Sequence, residues 1–412
     1  MKNKLSAAFN SLDKILIWMF FLALGLRLAW AVFFAGLDYF PPGDDAPNYF
    51  EYARNLVAGK GYIAEGGRAF RAPGYPVFLA AVFYVFGESN SMVKIVQCAV
   101  SSLIPVLVCL IGLQVSTRRV AVAAGFYTCL YYGLINEPSR YMTEATFTFL
   151  FTLTVWLFLC ARESARAGAA AGVALALMLL TRPVGLLSLP VFLAWLYLVL
   201  DRRTFVRRAA TIAAACLITL APWWIRNYRV FHAFIPFNTQ FLIAGKIDND
   251  KLAPTRYEKL ATNEYGALMP SDGMQGLMQV GVPGFWRQGL ERVATFFYPF
   301  VPAFDITWFF MCPFWLVGMY AALRQGNRPA YILFNLAIYF PMYFFFNATT
   351  RYKYSVSPFI IVFASMGFYH LYEKFQAGRK FYGVLVGWTA ANLAVWLYAP
   401  WFRALALKAK GF

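Results

Sequence analysis

Apolar stretches of about 15 to 22 residues recur between Lys14 and Pro400, each closed by Arg, Lys, Gly or Pro. That is the pattern of α-helical spans, which satisfy their own backbone hydrogen bonds inside a bilayer. The pattern predicts about eleven spans, at 15–36, 92–116, 120–135, 141–161, 168–181, 184–200, 209–224, 306–323, 329–346, 354–372 and 381–400. Several run to only about 14 to 16 residues and must either cross a thinned region or lie among other helices. Two polar insertions, 37–91 and 225–305, interrupt the series. With no internal repeat or low-complexity tract, residues 1–412 read as one all-α polytopic membrane domain, ending without a soluble C-terminal domain.

The first insertion has its own periodicity. From Ala46 to Ala58, Tyr49, Tyr52, Ala53, Leu56 and Val57 recur at helical spacing, with Asn48, Glu51, Arg54 and Asn55 opposite. This predicts a juxtamembrane helix lying flat on the bilayer. Asp45 just before it, Pro47 in its first turn, and Gly59 and Gly61 after it are start and stop signals. Asp45 therefore has two compatible readings, an N-cap accepting backbone N–H bonds and a catalytic base. Downstream, AFRAPGYPVFLAAVFYVFG makes a proline-bracketed turn into a second apolar helix. The turn puts Arg71 and Tyr75 at about the depth of Asp45, where Arg71 either faces the acid or snorkels to lipid headgroups.

Composition agrees with the pattern: 60% of the 412 residues are hydrophobic and only 14% charged, against roughly a quarter charged in soluble domains. The net charge of +18 does not indicate nucleic acid, because the basic residues sit in short loops between spans. Arg118 and Arg119, Arg162 and Arg166, Arg202, Arg203, Arg207 and Arg208, Arg324 and Arg328, and Lys374, Arg379 and Lys380 all fall on one side. By the positive-inside rule that side is cytoplasmic. Lys2, Lys4 and Lys14 put the N-terminus there too, and the first apolar run is too long for a cleaved signal peptide. The six cysteines lie in or beside apolar helices without a CxxC pair and read as packing residues. Most acidic residues then fall on the outer side.

Other candidates lie along that outer boundary. Glu144, near the outer end of a span, needs a cation, a metal or a substrate hydroxyl, and Arg140 and Arg182 are its candidate partners. Arg182, Arg226 and Arg351 each suit interface anchoring, but arginines converging on two acids would make a phosphate site. In the second insertion Lys246 is the best-placed cation, and 283–299 reads as another helix lying on the membrane. His232 and His370 are too far apart to suggest a metal pair.

Asp45, Tyr49 and Ala53 followed by GKGY and RAPGYPVFLA, then YMTEATFTFLFTL, TRPVGL, APWWIRNYRVF and RYKYSVSPFIIVFAS, form an ordered set. The set resembles membrane glycosyltransferases of the C superfamily, in the group of protein O-mannosyltransferases and the aminoarabinose transferase of lipid A. The resemblance implies a glycosyltransferase C-type fold and inverting transfer of a sugar from a polyprenyl-phosphate carrier to a glycan or lipid acceptor. The membrane would be the bacterial inner membrane and the active site would face the periplasm. It implies Asp45 as catalytic aspartate, with Asp44 as alternative, and Glu144 as the second acid, a Glu where Asp is more usual. Arg71 takes the place of a basic residue on the lipid phosphate, and Tyr49, Tyr75, Arg182, Arg226, Lys246, Arg351 and Tyr352 complete the donor site. No cofactor is called for with certainty. A divalent cation such as Mg or Mn is admissible, but the first loop has no His and carboxylate pair to suggest zinc. The rival readings are a transporter or flippase of lipid-linked sugars, disfavoured by charges crowded at one surface, and a glycan polymerase or ligase with a diphosphate-linked donor.

Overall fold

The computed structural model describes residues 2–40, 45–65, 67–239, 306–327, 329–330, 353–376 and 378–390, with isolated positions to 397. Most of the predicted span 329–346, most of the second insertion with its 283–299 helix, and the end of the last span lie outside these. The described chain is helical: α1 (Lys2–Phe33), α2 (Ala46–Val57), α3 (Gly74–Phe86), α4 (Asn90–Ser101), α5 (Leu103–Val115), α6 (Arg118–Leu130) and α7 (Tyr132–Asn136). There follow α8 (Thr143–Ala161), α9 (Ala165–Thr181), α10 (Leu189–Val199), α11 (Arg202–Phe231), α12 (Ile306–Arg324) and α13 (Lys353–Lys374). Residues 379–390 are also helical.

Local chemistry starts these helices where polar residues interrupt the apolar pattern. The side chains of Ser89, Thr117, Ser164 and Asp201 accept backbone N–H bonds from the first turns of α4, α6, α9 and α11. Among the described residues five stretches are long and apolar enough to cross a membrane: Leu12–Phe33, Asn90–Val115, Thr143–Ala161, Arg202–Phe231 and Lys353–Lys374. Gly74–Phe86, Ala165–Thr181 and Pro183–Val199 are shorter apolar helices. The structure alters some predicted bounds. The 92–116 span is broken at Ser102, whose hydroxyl turns back to the Cys98 carbonyl. The 209–224 span lies inside the 30-residue α11, and 184–200 is a 3-10 turn followed by α10.

α13 and α8 lie at the centre of the main core, with Phe151 and Phe359 in edge contact between them. Lipid surroundings give helices no hydrophobic reason to associate with one another, so close packing must hold them together. Glycines supply it: Gly318 and Gly367 let α12 and α13 cross backbone to backbone, and Gly112 lies against Ala121 between α5 and α6. Hydroxyls buried in the spans, such as Thr128, Thr148 and Thr152, donate to the carbonyl one turn back.

The bundle has two distinguishable ends. At one, Gln114 contacts Cys160 and Asn327 donates to the Val115 carbonyl, which gathers the C-termini of α5, α8 and α12. At the other, Arg182 after α9 pairs with Glu144 at the start of α8. The first loop is fastened over this second end by two apolar clusters. Tyr49, Phe50, Tyr75 and Leu79 pack with Val93 and Tyr141, whereas Tyr52, Tyr62 and Ala69 pack with Trp223, Phe231 and Ile235 of α11 and its C-terminal turn.

Candidate functional site

α2 forms as its pattern predicts and buries Ala46, Tyr49, Phe50, Tyr52 and Ala53, although Val57, expected on the apolar face, is exposed. Asp45 stands at its N-cap position but makes no side-chain cap. Its carboxylate turns away to Arg71, with Oδ1 2.7 Å from Nη2. The capping expected of Asp45 is thus replaced by an ion pair, which satisfies the carboxylate with a charge-assisted bond. Arg71 does not snorkel: its side chain is 12% exposed against 40% for Asp45. Its Nε donates to Asn48 Oδ1 at 3.2 Å, and its guanidinium lies 5.2 Å from the Tyr49 ring centre and 5.0 Å from that of Phe70. The arginine is gripped on several sides and holds the acid in place, while the acid stays reachable.

A second pair lies close by. Glu144 is buried at the start of α8, Arg182 Nη1 reaches its Oε1 at 3.1 Å, and the Thr143 hydroxyl donates to its Oε2 at 3.3 Å. Of the two partners expected for Glu144, the structure selects Arg182. Tyr49 links the pairs. Burial pushes its hydroxyl up to about 12, with smaller effects from Arg71, Asp45, Glu144 and Arg182, so all four charges act on this one ring. Tyr49 therefore remains a neutral hydroxyl at any physiological pH. The Tyr75 ring meets it edge-on at 5.2 Å, and the Tyr75 hydroxyl donates to Gln97 Oε1. Gln97 in turn donates to the carbonyls of Pro138 and Arg140. The sequence analysis did not single out this glutamine, one of several polar residues inside a mainly apolar span, yet it ties α3, α4 and the approach to α8 together.

Arg226 is placed elsewhere. It donates to the Tyr62 carbonyl and to Asn227 Oδ1, and its guanidinium lies over the rings of Tyr62, Trp223 and Phe231. Tyr62 stacks on Tyr52 at 4.2 Å. Arg226, Lys60 and Arg68 border a cavity of about 640 Å³ whose lining includes none of Asp45, Arg71 or Glu144. The expected gathering of arginines is therefore divided. Asp44, Lys246, Arg351 and Tyr352 lie outside the described residues.

A divalent cation does not fit the described site. Even an ion such as Mg, which takes one or two carboxylates along with waters and phosphates, needs a carboxylate with charge to spare, whereas Asp45 and Glu144 each already face an arginine. Among the described residues no group of three or more His, Cys, Asp or Glu side chains could hold a metal. No step is assigned to one.

Residues 71–225 match the family model of dolichyl-phosphate-mannose-protein mannosyltransferases. The whole architecture superposes on solved structures. One is the archaeal oligosaccharyltransferase AglB from Archaeoglobus fulgidus, in complex with an inhibitory peptide and a dolichol-phosphate. The TM-score is 0.60 at 16% identity, over 94% of this chain and 54% of that one. The fold is the one these solved structures share. ArnT from Cupriavidus metallidurans bound to undecaprenyl phosphate gives a TM-score of 0.61 at 14% identity, over 96% of this chain and 65% of ArnT. An A. fulgidus oligosaccharyltransferase complex with Zn and sulfate gives 0.61 at 15%, over 91% and 51%. The chain thus spans between half and two-thirds of the solved glycosyltransferases it matches. Among curated proteins none matches it. The matched family segment opens at Arg71 and includes Tyr75, Glu144 and Arg182, so most of the site lies in the part of the chain with a family signature.

Proposed function

We propose that this protein transfers a sugar from a polyprenyl-phosphate carrier to a glycan or lipid acceptor, with inversion at the anomeric carbon. Asp45 is the base. The observation that carries the reading is a partly exposed carboxylate fixed by a buried arginine at one end of a membrane bundle, beside a second carboxylate and arginine around the same tyrosine. The carrier follows from the likeness to structures that hold dolichol-phosphate and undecaprenyl phosphate.

In this reaction the acceptor oxygen bonds to the anomeric carbon as the bond from that carbon to the phosphate oxygen breaks. The acceptor proton passes to Asp45, and the electron pair leaves on the carrier phosphate, which gains negative charge. Arg71 and Arg182 stabilise that charge more in the transition state than before it, which is how a fixed cation raises a rate. Arg71 also orients the base, and general base catalysis of this type contributes roughly 100- to 10,000-fold. Tyr49 and Tyr75 form the wall between the two cations, and Glu144 holds Arg182 in place. Asp44 is the alternative base, and Lys246, Arg351 and Tyr352 complete the donor site.

The site faces the periplasm of a bacterial inner membrane, because Arg118, Arg162 and Arg202 with their neighbours cluster at the opposite end of the bundle. The test is to incubate the purified protein with radiolabelled polyprenyl-phosphate sugars and candidate acceptors. The expected result is a labelled product of inverted anomeric configuration. Movement of a solute across sealed vesicles without transfer would instead establish a transporter, and transfer from diphosphate-linked oligosaccharides alone would establish a polymerase or ligase.

A further inference from the structure

The 640 Å³ cavity between the first loop, α3, α9 and α11 joins two kinds of surface. Its apolar side is made by residues such as Val77, Leu180 and Val230, and its polar side by Lys60, Arg68 and Arg226. Both flanking helices present apolar side chains outward: Val77 and Tyr84 on α3, Ile218 and Ile225 on α11. In a bilayer these faces meet lipid tails, so the cavity opens sideways into the membrane.

Its charge is one-sided. Arg226 donates to neutral groups, the Tyr62 carbonyl and the Asn227 amide oxygen. Lys60 and Arg68 are exposed, and none of the three forms an ion pair with a described carboxylate. Three cations above an apolar floor match one chemistry, a phosphate head on hydrocarbon chains. Neither Asp45 nor Arg71 lines the cavity, whose Tyr62 stacks on Tyr52.

We propose that this groove holds a resident anionic bilayer phospholipid, its phosphate among Lys60, Arg68 and Arg226 and its chains along Val77, Leu180 and Val230. The lipid braces the first loop against α11. The proposal does not depend on the transfer reading, since it concerns a different surface and a lipid that is not consumed.

Native mass spectrometry of the full-length protein, taken from nanodiscs of phosphatidylglycerol and phosphatidylcholine, reads this directly. The parent protein retains one phosphatidylglycerol. The double variant Lys60→Gln and Arg68→Gln alters two exposed side chains that brace nothing, so it folds. It retains the lipid roughly 30-fold less well, at about one factor of five per lost interfacial cation. Arg118→Gln with Arg119→Gln, at the other end of the bundle, leaves retention unchanged. Equal retention in the Lys60 and Arg68 variant, or an equal loss in the Arg118 and Arg119 variant, overturns the proposal. Displacement of phosphatidylglycerol by equimolar undecaprenyl phosphate overturns it too, and assigns the groove to the carrier.

Discussion

Glu144 carries its charge almost wholly out of water, with 1% of its side chain exposed and Arg182 at 3.1 Å. A buried carboxylate that loses its cation is left with a desolvation cost it cannot recover, typically about 3 to 5 kcal/mol. Arg182→Gln should therefore destabilise the protein by roughly that amount in denaturant unfolding. Replacing both partners with Gln should cost less than Arg182→Gln alone, a coupling that a double-mutant cycle measures. Equal destabilisation by the single and double variants would mean that the pair does not hold this end of the bundle. Asp45 differs because it stays 40% exposed. An exposed pair contributes little to stability, so the organisation around Asp45 is better explained by chemistry than by folding. The sequence placed Asp45, Arg71 and Glu144 near one depth. It left open which arginine meets Glu144, because Arg140 and Arg182 stand at similar heights and only the packing of α9 against α8 chooses between them.

At the scale of elements, the approach of α3 to α9 sets the spacing of the two arginines. A Cβ on Gly74 would meet Thr181 Oγ1 at 2.5 Å and the Thr181 backbone nitrogen at 2.7 Å. Gly74 lies three residues after Arg71, and Thr181 immediately precedes Arg182. Gly74→Ala should therefore push the helices apart, cost about 1 to 3 kcal/mol as overpacking does, and move both cations. A lowered Tm with reduced transfer is expected. Gly25→Ala, where an added Cβ meets nothing within 4 Å, should change neither. A Gly74→Ala protein with unaltered Tm would show that this contact does not set the geometry. The end of α2 was legible because Gly59 stood at its edge. Helix bounds were not legible where charge ended the apolar pattern without ending the helix. α11 continues through Arg202 to Arg208 and on past Trp224, a length of about 45 Å against a hydrocarbon core of about 30 Å. Arginines tolerate the helical backbone and reach for the interface, so hydropathy alone stops too early.

Over the whole molecule, the described charged clusters fall at opposite ends of one bundle, basic loops at one and paired acids and arginines at the other. This division was readable from loop charges alone. What could not be read was the split among the arginines: Arg226 looks equivalent to Arg182 in sequence, yet the fold-back of residues 61–72 onto α11 draws it to Tyr62 and Trp223 and away from Asp45. Long-range docking of a loop leaves no periodic trace, so only the three-dimensional arrangement separates a groove cation from a cation of the acid pair. The central claim is that Asp45, held by Arg71, accepts the proton of the attacking hydroxyl while the carrier binds to other groups. Comparing carrier binding and single-turnover transfer in the parent and in Asp45→Asn tests it most directly. Asp45→Asn is expected to keep a carrier Kd within about threefold of the parent and to transfer roughly 100- to 10,000-fold more slowly. Transfer by Asp45→Asn at the parent's rate, or a loss accounted for wholly by weaker carrier binding, would contradict it.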